Sequence, residues 1–220
     1  EKTFHVNAEG NAQPIEIVMQ DNIIQTVLRK TDLEGKRLSG AMLTIIDLES
    51  GETAASVTSA AEDIQIGNVL KPGHTYAVKE EQAPKGYYRS EDVRFTVPEH
   101  MQNDDSIEVE VKDCPIRGTV IKTDQDGHPL KNAHLVLMQG SQVLTEWDSE
   151  EETKDISSYL ASGETYEVKE TKSPAGYYYA QPQTFTVEDA HQEPIEIVMK
   201  DQAVSYEIAK TDEKGNPVAG

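Results

Sequence analysis

The chain has 220 residues, with 40 acidic against 20 basic side chains and a formal net charge of −20. Such a surface repels nucleic acid and offers an anionic membrane nothing to grip. No stretch has the apolar length of a membrane span, the N-terminus lacks the basic and apolar regions of a signal peptide, and the single cysteine, Cys114, excludes an intrachain disulfide.

Taken in chain order, residues 1–21 hold Phe4 and an alternating apolar run that ends at Asp21. Segments 26–30, 42–47, 75–80, 93–97 and 107–111 follow, each short, rich in β-branched or aromatic residues and bounded by turn chemistry. Helical periodicity is absent. Asp32-Leu33-Glu34-Gly35 places Asp first and Gly fourth, a type I turn signature, and Pro84-Lys85-Gly86 supplies a further turn. After the join Asp113-Cys114-Pro115-Ile116-Arg117-Gly118 the succession starts again, with Asp124-Gln125-Asp126-Gly127 and Pro174-Ala175-Gly176 in register. Residues 202–220 repeat its opening, including Asp212-Glu213-Lys214-Gly215.

The register is that of a tandem duplication. Lysine recurs at 30, 122 and 210, and aspartate at 21, 113 and 201. A period near 90 exceeds that of solenoid repeats and suits a small sandwich domain. The organisation predicted is the tail of one unit (1–21), two whole units (22–113 and 114–201) and the first strand of a following one (202–220). The joins are short and lack Gly/Ser or Pro-rich tracts, so neighbouring units are expected to stack end to end. The fold class is all-β, with several short strands per unit in a β-sandwich.

Alternate residues of a strand share a face. Leu28 therefore points the same way as Lys30, Val78 as Glu80 and Val111 as Asp113; in the second unit the pairs are Val120 with Lys122, Val168 with Glu170 and Met199 with Asp201. Three ionisable groups per unit are thus expected in the core, where each costs several kcal/mol unless paired or neutralised. One reading is a buried salt bridge and nothing more. The other uses the burial, which pushes a lysine toward the neutral amine and a carboxyl toward its acid form. The amine then adds to the aspartic acid carbon while the glutamate moves protons, leaving an amide crosslink and water. Spacing alone also permits Asp21 as the partner of Lys30 and Glu80.

The order Lys-Thr-Asp-x-x-Gly, Tyr-x-Val-x-Glu-x-x-Ala/Ser-Pro-x-Gly-Tyr and Ile-x-x-x-Met/Val-x-Asp resembles the Cna protein B-type domain, also called the SpaA-like or prealbumin-like domain of Gram-positive surface proteins and pilins. The resemblance spans both whole units and both partial ones. It implies an Ig-like or prealbumin-like β-sandwich with a first-strand lysine bonded to a last-strand Asn or Asp, assisted by the glutamate: Lys30, Glu80 and Asp113, then Lys122, Glu170 and Asp201. Aspartate in both units implies loss of water rather than ammonia. Lys210 lacks a following Glu and Asp, and Asp21 a preceding Lys and Glu, so neither is expected to be crosslinked in this chain. Joining first and last strands closes a loop large enough to stabilise by about 4 kcal/mol through the unfolded state. The implied role is a stalk or spacer on an extracellular, cell-wall anchored protein, with neighbouring repeats as partners. An adhesin or pilin binding a host matrix protein or glycan through its loops is the alternative, with the triads as plain salt bridges.

Asp124-Gln125-Asp126-Gly127 lacks the later ligands of a calcium loop and reads as a turn. The acidic runs 103–105 and 150–152 read as solvated loops, and the six histidines show no zinc spacing. No cofactor is called for, and no glycine loop, HExxH or Ser/His/Asp set suggests turnover. Neither an LPxTG-like nor a YPKN-like segment occurs. Cys114, at a join and away from any histidine, reads as incidental. Tyr87-Tyr88 and Tyr177-Tyr178-Tyr179 could form an aromatic binding surface, but their rings are expected to pack on the sandwich with the hydroxyls exposed.

Overall fold

A computed structural model describes residues 23–101, 105–190 and 193–218. The expected partial unit 1–21, with Phe4 and Asp21, lies outside the described residues, as do positions 103 and 104 of the first acidic run. Among the described residues fourteen strands follow one another: β1 (Thr26–Asp32), β2 (Met42–Asp47), β3 (Thr53–Thr58), β4 (Ile64–Gln65), β5 (Thr75–Gln82), β6 (Val93–Thr96), β7 (Ile107–Asp113), then β8 (Gly118–Asp124), β9 (His134–Gln139), β10 (Gln142–Asp148), β11 (Lys154–Asp155), β12 (Thr165–Lys172), β13 (Gln183–Thr186) and β14 (Ile195–Asp201). Among the described residues the only helical pieces are two 3-10 turns, Gly67–Val69 and Ser157–Tyr159.

Each set of seven strands makes two sheets. In the first unit these are β4-β1-β7 and β3-β2-β5-β6; in the second, β11-β8-β14 and β10-β9-β12-β13. The inward faces are apolar at alternate positions, as period-two patterning requires. Leu28, Leu43, Ile45, Tyr76, Val78, Val97, Val109 and Val111 fill the first core, and Val120, Leu135, Leu137, Tyr166, Val168, Val187 and Met199 the second. Tyr76 stacks on Phe95 with ring centroids 5.6 Å apart, and Tyr166 on Phe185 at 5.7 Å. Outward on β1, Arg29 reaches Asp63 at 3.1 Å and Glu108 at 2.7 Å.

The Asp-x-x-Gly segments are turns. Gly35 N–H donates to the Asp32 carbonyl (3.1 Å) at φ +85°, a left-handed conformation that glycine adopts without steric penalty. Asp32 Oδ1 also accepts from the N–H groups of Glu34 and Lys36, a pattern repeated at Asp124 and Asp212.

The tyrosines divide: Tyr88 packs in a core as expected, and Tyr178 and Tyr179 do not. Tyr88 is buried, but in the cluster of the second unit rather than its own, while Tyr178 and Tyr179 are 56% and 57% exposed. Gly86 N–H of the turn donates to the Leu160 carbonyl of the second unit, which brings Tyr88 to that unit's cluster.

Candidate crosslinking sites

β1 and β7 pair in parallel over their whole length, from Thr26 opposite Ile107 to Asp32 opposite Asp113. Lys30 stands opposite Val111, so Asp113 lies two residues further along on the same inward face. A lysine is long enough to span that diagonal, and Lys30 Nζ contacts Asp113 Oδ1. Glu80 comes from β5 in the facing sheet and brings Oε1 to 3.1 Å from Lys30 Nζ. The second unit repeats the arrangement. β8 and β14 are parallel, Lys122 opposes Met199, Lys122 Nζ contacts Asp201 Oδ1, and Glu170 Oε1 from β12 stands 3.8 Å away. Lys122 also donates to the Met199 carbonyl at 3.3 Å.

All six side chains are fully enclosed. An ammonium facing two carboxylates would leave a net negative charge in an apolar core, which such a core resists strongly. One proton held between the carboxyls removes it. Burial accordingly pushes the Asp113 carboxyl up to about 7 against the pull of Lys30, and the adjacent Glu80 adds to the rise. In the second unit burial raises Glu170 to about 7, against the Ala180 N–H and Lys122, with Asp201 adding to the rise. Each site can therefore hold one ammonium, one carboxylate and one carboxylic acid, summing to zero charge, and an internal proton transfer converts this to an amine beside two acids.

A contribution absent from the sequence reading is the clamp on the glutamate. Glu80 Oε2 accepts from both the N–H (2.7 Å) and the hydroxyl (3.0 Å) of Ser90, whereas Glu170 Oε2 accepts from the Ala180 N–H at 2.6 Å. Ser90 and Ala180 occupy the same place after the two tyrosine turns, a signal visible only by aligning the units.

Lys210 is exposed, and Asp21 lies outside the described residues. Cys114 is half-buried at the join. Two groups among the described residues bring carboxylates and a histidine together: Asp47, Glu49 and His74, and Asp124, Asp126 and His128. Both are tied up in turns. Asp47 Oδ1 accepts from Glu49 and Ser50 N–H (3.0 and 3.3 Å) and Oδ2 meets His74 Nδ1 at 2.9 Å; Asp124 Oδ1 accepts from Asp126 and His128 N–H, both at 2.9 Å. Burial works to raise the Asp47 pKa, yet His74 and the two N–H groups hold it at about 2.

The SpaA prealbumin-like fold domain matches the chain twice, over residues 24–114 and 117–203. Among solved structures, the shaft pilin SpaA of Lactobacillus rhamnosus GG is similar at 15% identity, over 84% of this chain and 99% of that one, with a TM-score of 0.41. A Streptococcal ancillary pilin is similar at 18% identity, over 89% of this chain and 68% of that one, with a TM-score of 0.41. The Bacillus anthracis TIE protein is similar at 23% identity, over 81% and 34%, with a TM-score of 0.36. Comparison with curated protein sequences gives no match.

Proposed function

Because the chain belongs to the SpaA prealbumin-like domain family, we propose that it is a load-bearing stalk of a Gram-positive surface protein in which each sandwich locks itself with one Lys–Asp isopeptide bond. Lys30 and Asp113 form the first bond and Lys122 and Asp201 the second; Glu80 and Glu170 are the proton carriers. What supports this most is that a buried lysine on the first strand touches a buried aspartate on the last, with a third carboxyl delivered by the facing sheet, twice over.

The chemistry balances within the site. Asp113 holds the acid proton, and transfer of a proton from the Lys30 ammonium to the Glu80 carboxylate gives an amine beside that carboxylic acid. The Nζ lone pair adds to Cγ of Asp113, forming the N–C bond, while Glu80 takes a proton from nitrogen and returns one to the departing hydroxyl. The C–O bond breaks, water leaves, and the one proton left over stays on Glu80. The fixed geometry raises the effective concentration of the partners. This is a single internal turnover, so the protein acts on itself and on no substrate. Its partners on this reading are the adjoining repeats, and its place is the cell surface.

Intact mass followed by peptide mapping tests the reading. The expected result is a chain lighter by two waters, with crosslinked peptides joining Lys30 to Asp113 and Lys122 to Asp201. A chain at its full unreacted mass would leave buried salt bridges and no lock.

A further inference from the structure

The join between the units is built from the Pro84-Lys85-Gly86-Tyr87-Tyr88 turn of the first. Tyr87 bridges to Pro115, Tyr88 N–H donates to the Cys114 carbonyl at 2.9 Å, and Ile116 N–H donates to the Gly86 carbonyl at 2.8 Å. The turn then crosses into the second sandwich, where Gly86 N–H donates to the Leu160 carbonyl at 2.7 Å. A Cβ at Gly86 would lie 3.7 Å from Ser157 O and Ser158 Cα, so the backbones run close together. Tyr88 is 2% exposed and shares the buried cluster of Ile116, Ile156, Leu160 and Ile195; the first unit's own cluster does not contain it. Arg89 closes the outer side with an ion pair to Asp189 at 2.8 Å.

The second unit carries the same turn, and among the described residues nothing is seated on it. Tyr178 N–H donates to the Gln202 carbonyl and Val204 N–H to the Gly176 carbonyl, at 2.9 and 2.8 Å, and Tyr177 bridges to Ala203. Tyr178, however, is 56% exposed, and a Cβ at Gly176 would meet nothing within 4 Å. The turn and its strap are therefore formed by one unit alone, while burial of the tyrosine needs a following sandwich.

We propose that the Pro-x-Gly-Tyr-Tyr turn is a peg through which each unit completes the core of the next, and that Tyr178 is the docking surface for a following unit of the same family. The argument is independent of whether the isopeptide bonds form. Stability then passes along the chain between nearest neighbours, as it does in stacked repeat proteins, and the joint is stiff because a core residue spans it.

Amide hydrogen exchange on the whole chain tests this. Tyr88→Ala removes a buried aromatic ring, and exchange in β8 and β14 of the second unit is expected to quicken on the order of a hundredfold. The residue lies in the sequence of the first unit, yet β1 and β7 are expected to exchange as before. Tyr88→Phe keeps the ring and should leave both units unchanged, as should Tyr178→Ala in this chain. Tyr88→Leu gives the same ordering at smaller amplitude if Tyr88→Ala does not fold. Unchanged exchange in β8 and β14, or faster exchange confined to the first unit, would overturn the proposal. In a chain continued into a complete following unit, Tyr178→Ala should slacken that unit, and its having no effect there would refute the docking role.

Discussion

Glu80→Gln is the sharpest test of the lock, because it preserves the shape of the side chain and leaves Lys30 facing Asp113 while removing the group that carries the proton. The bond it is expected to prevent spans 83 residues. Loop-closure entropy for a loop of that length is worth about 4.5 kcal/mol in the unfolded state. For a unit of this size each kcal/mol moves the melting temperature by roughly 4–8 °C, so the first unit should melt about 20–35 °C lower. Intact mass should fall short of the variant's own sequence mass by one water instead of two, and peptide mapping should find Lys30 and Asp113 free while Lys122 and Asp201 stay joined. Calorimetry should then resolve two transitions, the lower belonging to the first unit. A variant that has lost two waters from its own sequence mass, or one that has lost a single water yet melts unchanged, would refute the reasoning: the first denies Glu80 its role, the second denies the bond its stabilising worth.

Three further outcomes are expected. Ser90→Ala removes one of two donors that hold Glu80 Oε2; at about 1 kcal/mol for that hydrogen bond, crosslinking of the first unit should slow roughly fivefold, with the second unit unaffected, in a mass time course after refolding. The raised Asp113 pKa predicts a pH dependence: the folded, unreacted site keeps its proton from 3.8, the ordinary value, up to about 7. Its contribution to stability is therefore full below 3.8 and lost as pH climbs through about 7, and bond formation in chains refolded from denaturant should slow over that upper range as the acid form disappears. Gly67→Ala would place a Cβ 1.5 Å from the Ile24 carbonyl oxygen, which is backbone and can only shift, so the first unit should lose about 1–3 kcal/mol in urea unfolding while the second holds.

The five strands expected in the first unit were legible because each carries β-branched or aromatic residues at period two and ends in turn chemistry. β2 falls on its expected bounds, β1 and β7 run two residues further because their parallel ladder continues to Asp32 opposite Asp113, and β5 does so because Gln82 still pairs with Met42. β3 was not legible: Thr53–Thr58 is largely alanine, serine and threonine, half-exposed at the edge of its sheet, and its place is set by pairing with β2. The two-residue β4 carries too little pattern to read. Inward lysine, glutamate and aspartate followed from alternation, but the choice of Asp113 over Asp21 as the partner of Lys30 did not, since parallel pairing of β1 with β7 is a property of topology. Asp47 and His74 are 27 residues apart and meet across a turn, so no local spacing announces them. The seat of Tyr88 lay beyond alternation altogether, because the pattern within a strand says nothing of contacts across a join.

The parallel pairing also decides what a lock can do. β1 and β7 run the same way, so tension entering at the start of β1 and leaving at the end of β7 shears their ladder, loading its hydrogen bonds together rather than one at a time. Lys30 and Asp113 lie toward the ends of those strands. A bond between them would carry the load from the first strand straight to the last, and residues 31–112, which include β2 to β6 and the facing sheet, would bear none of it. The same holds for Lys122 and Asp201. Between the two bonds the force path is then a single stretch from Asp113 through the join to Lys122, and that is where the Tyr87–Pro115 bridge and the Tyr88 peg sit. Covalent bonds would guard the sandwiches, while the join resists extension by hydrogen bonds and apolar burial, so each repeat sets a non-covalent joint in series with a covalently locked sandwich.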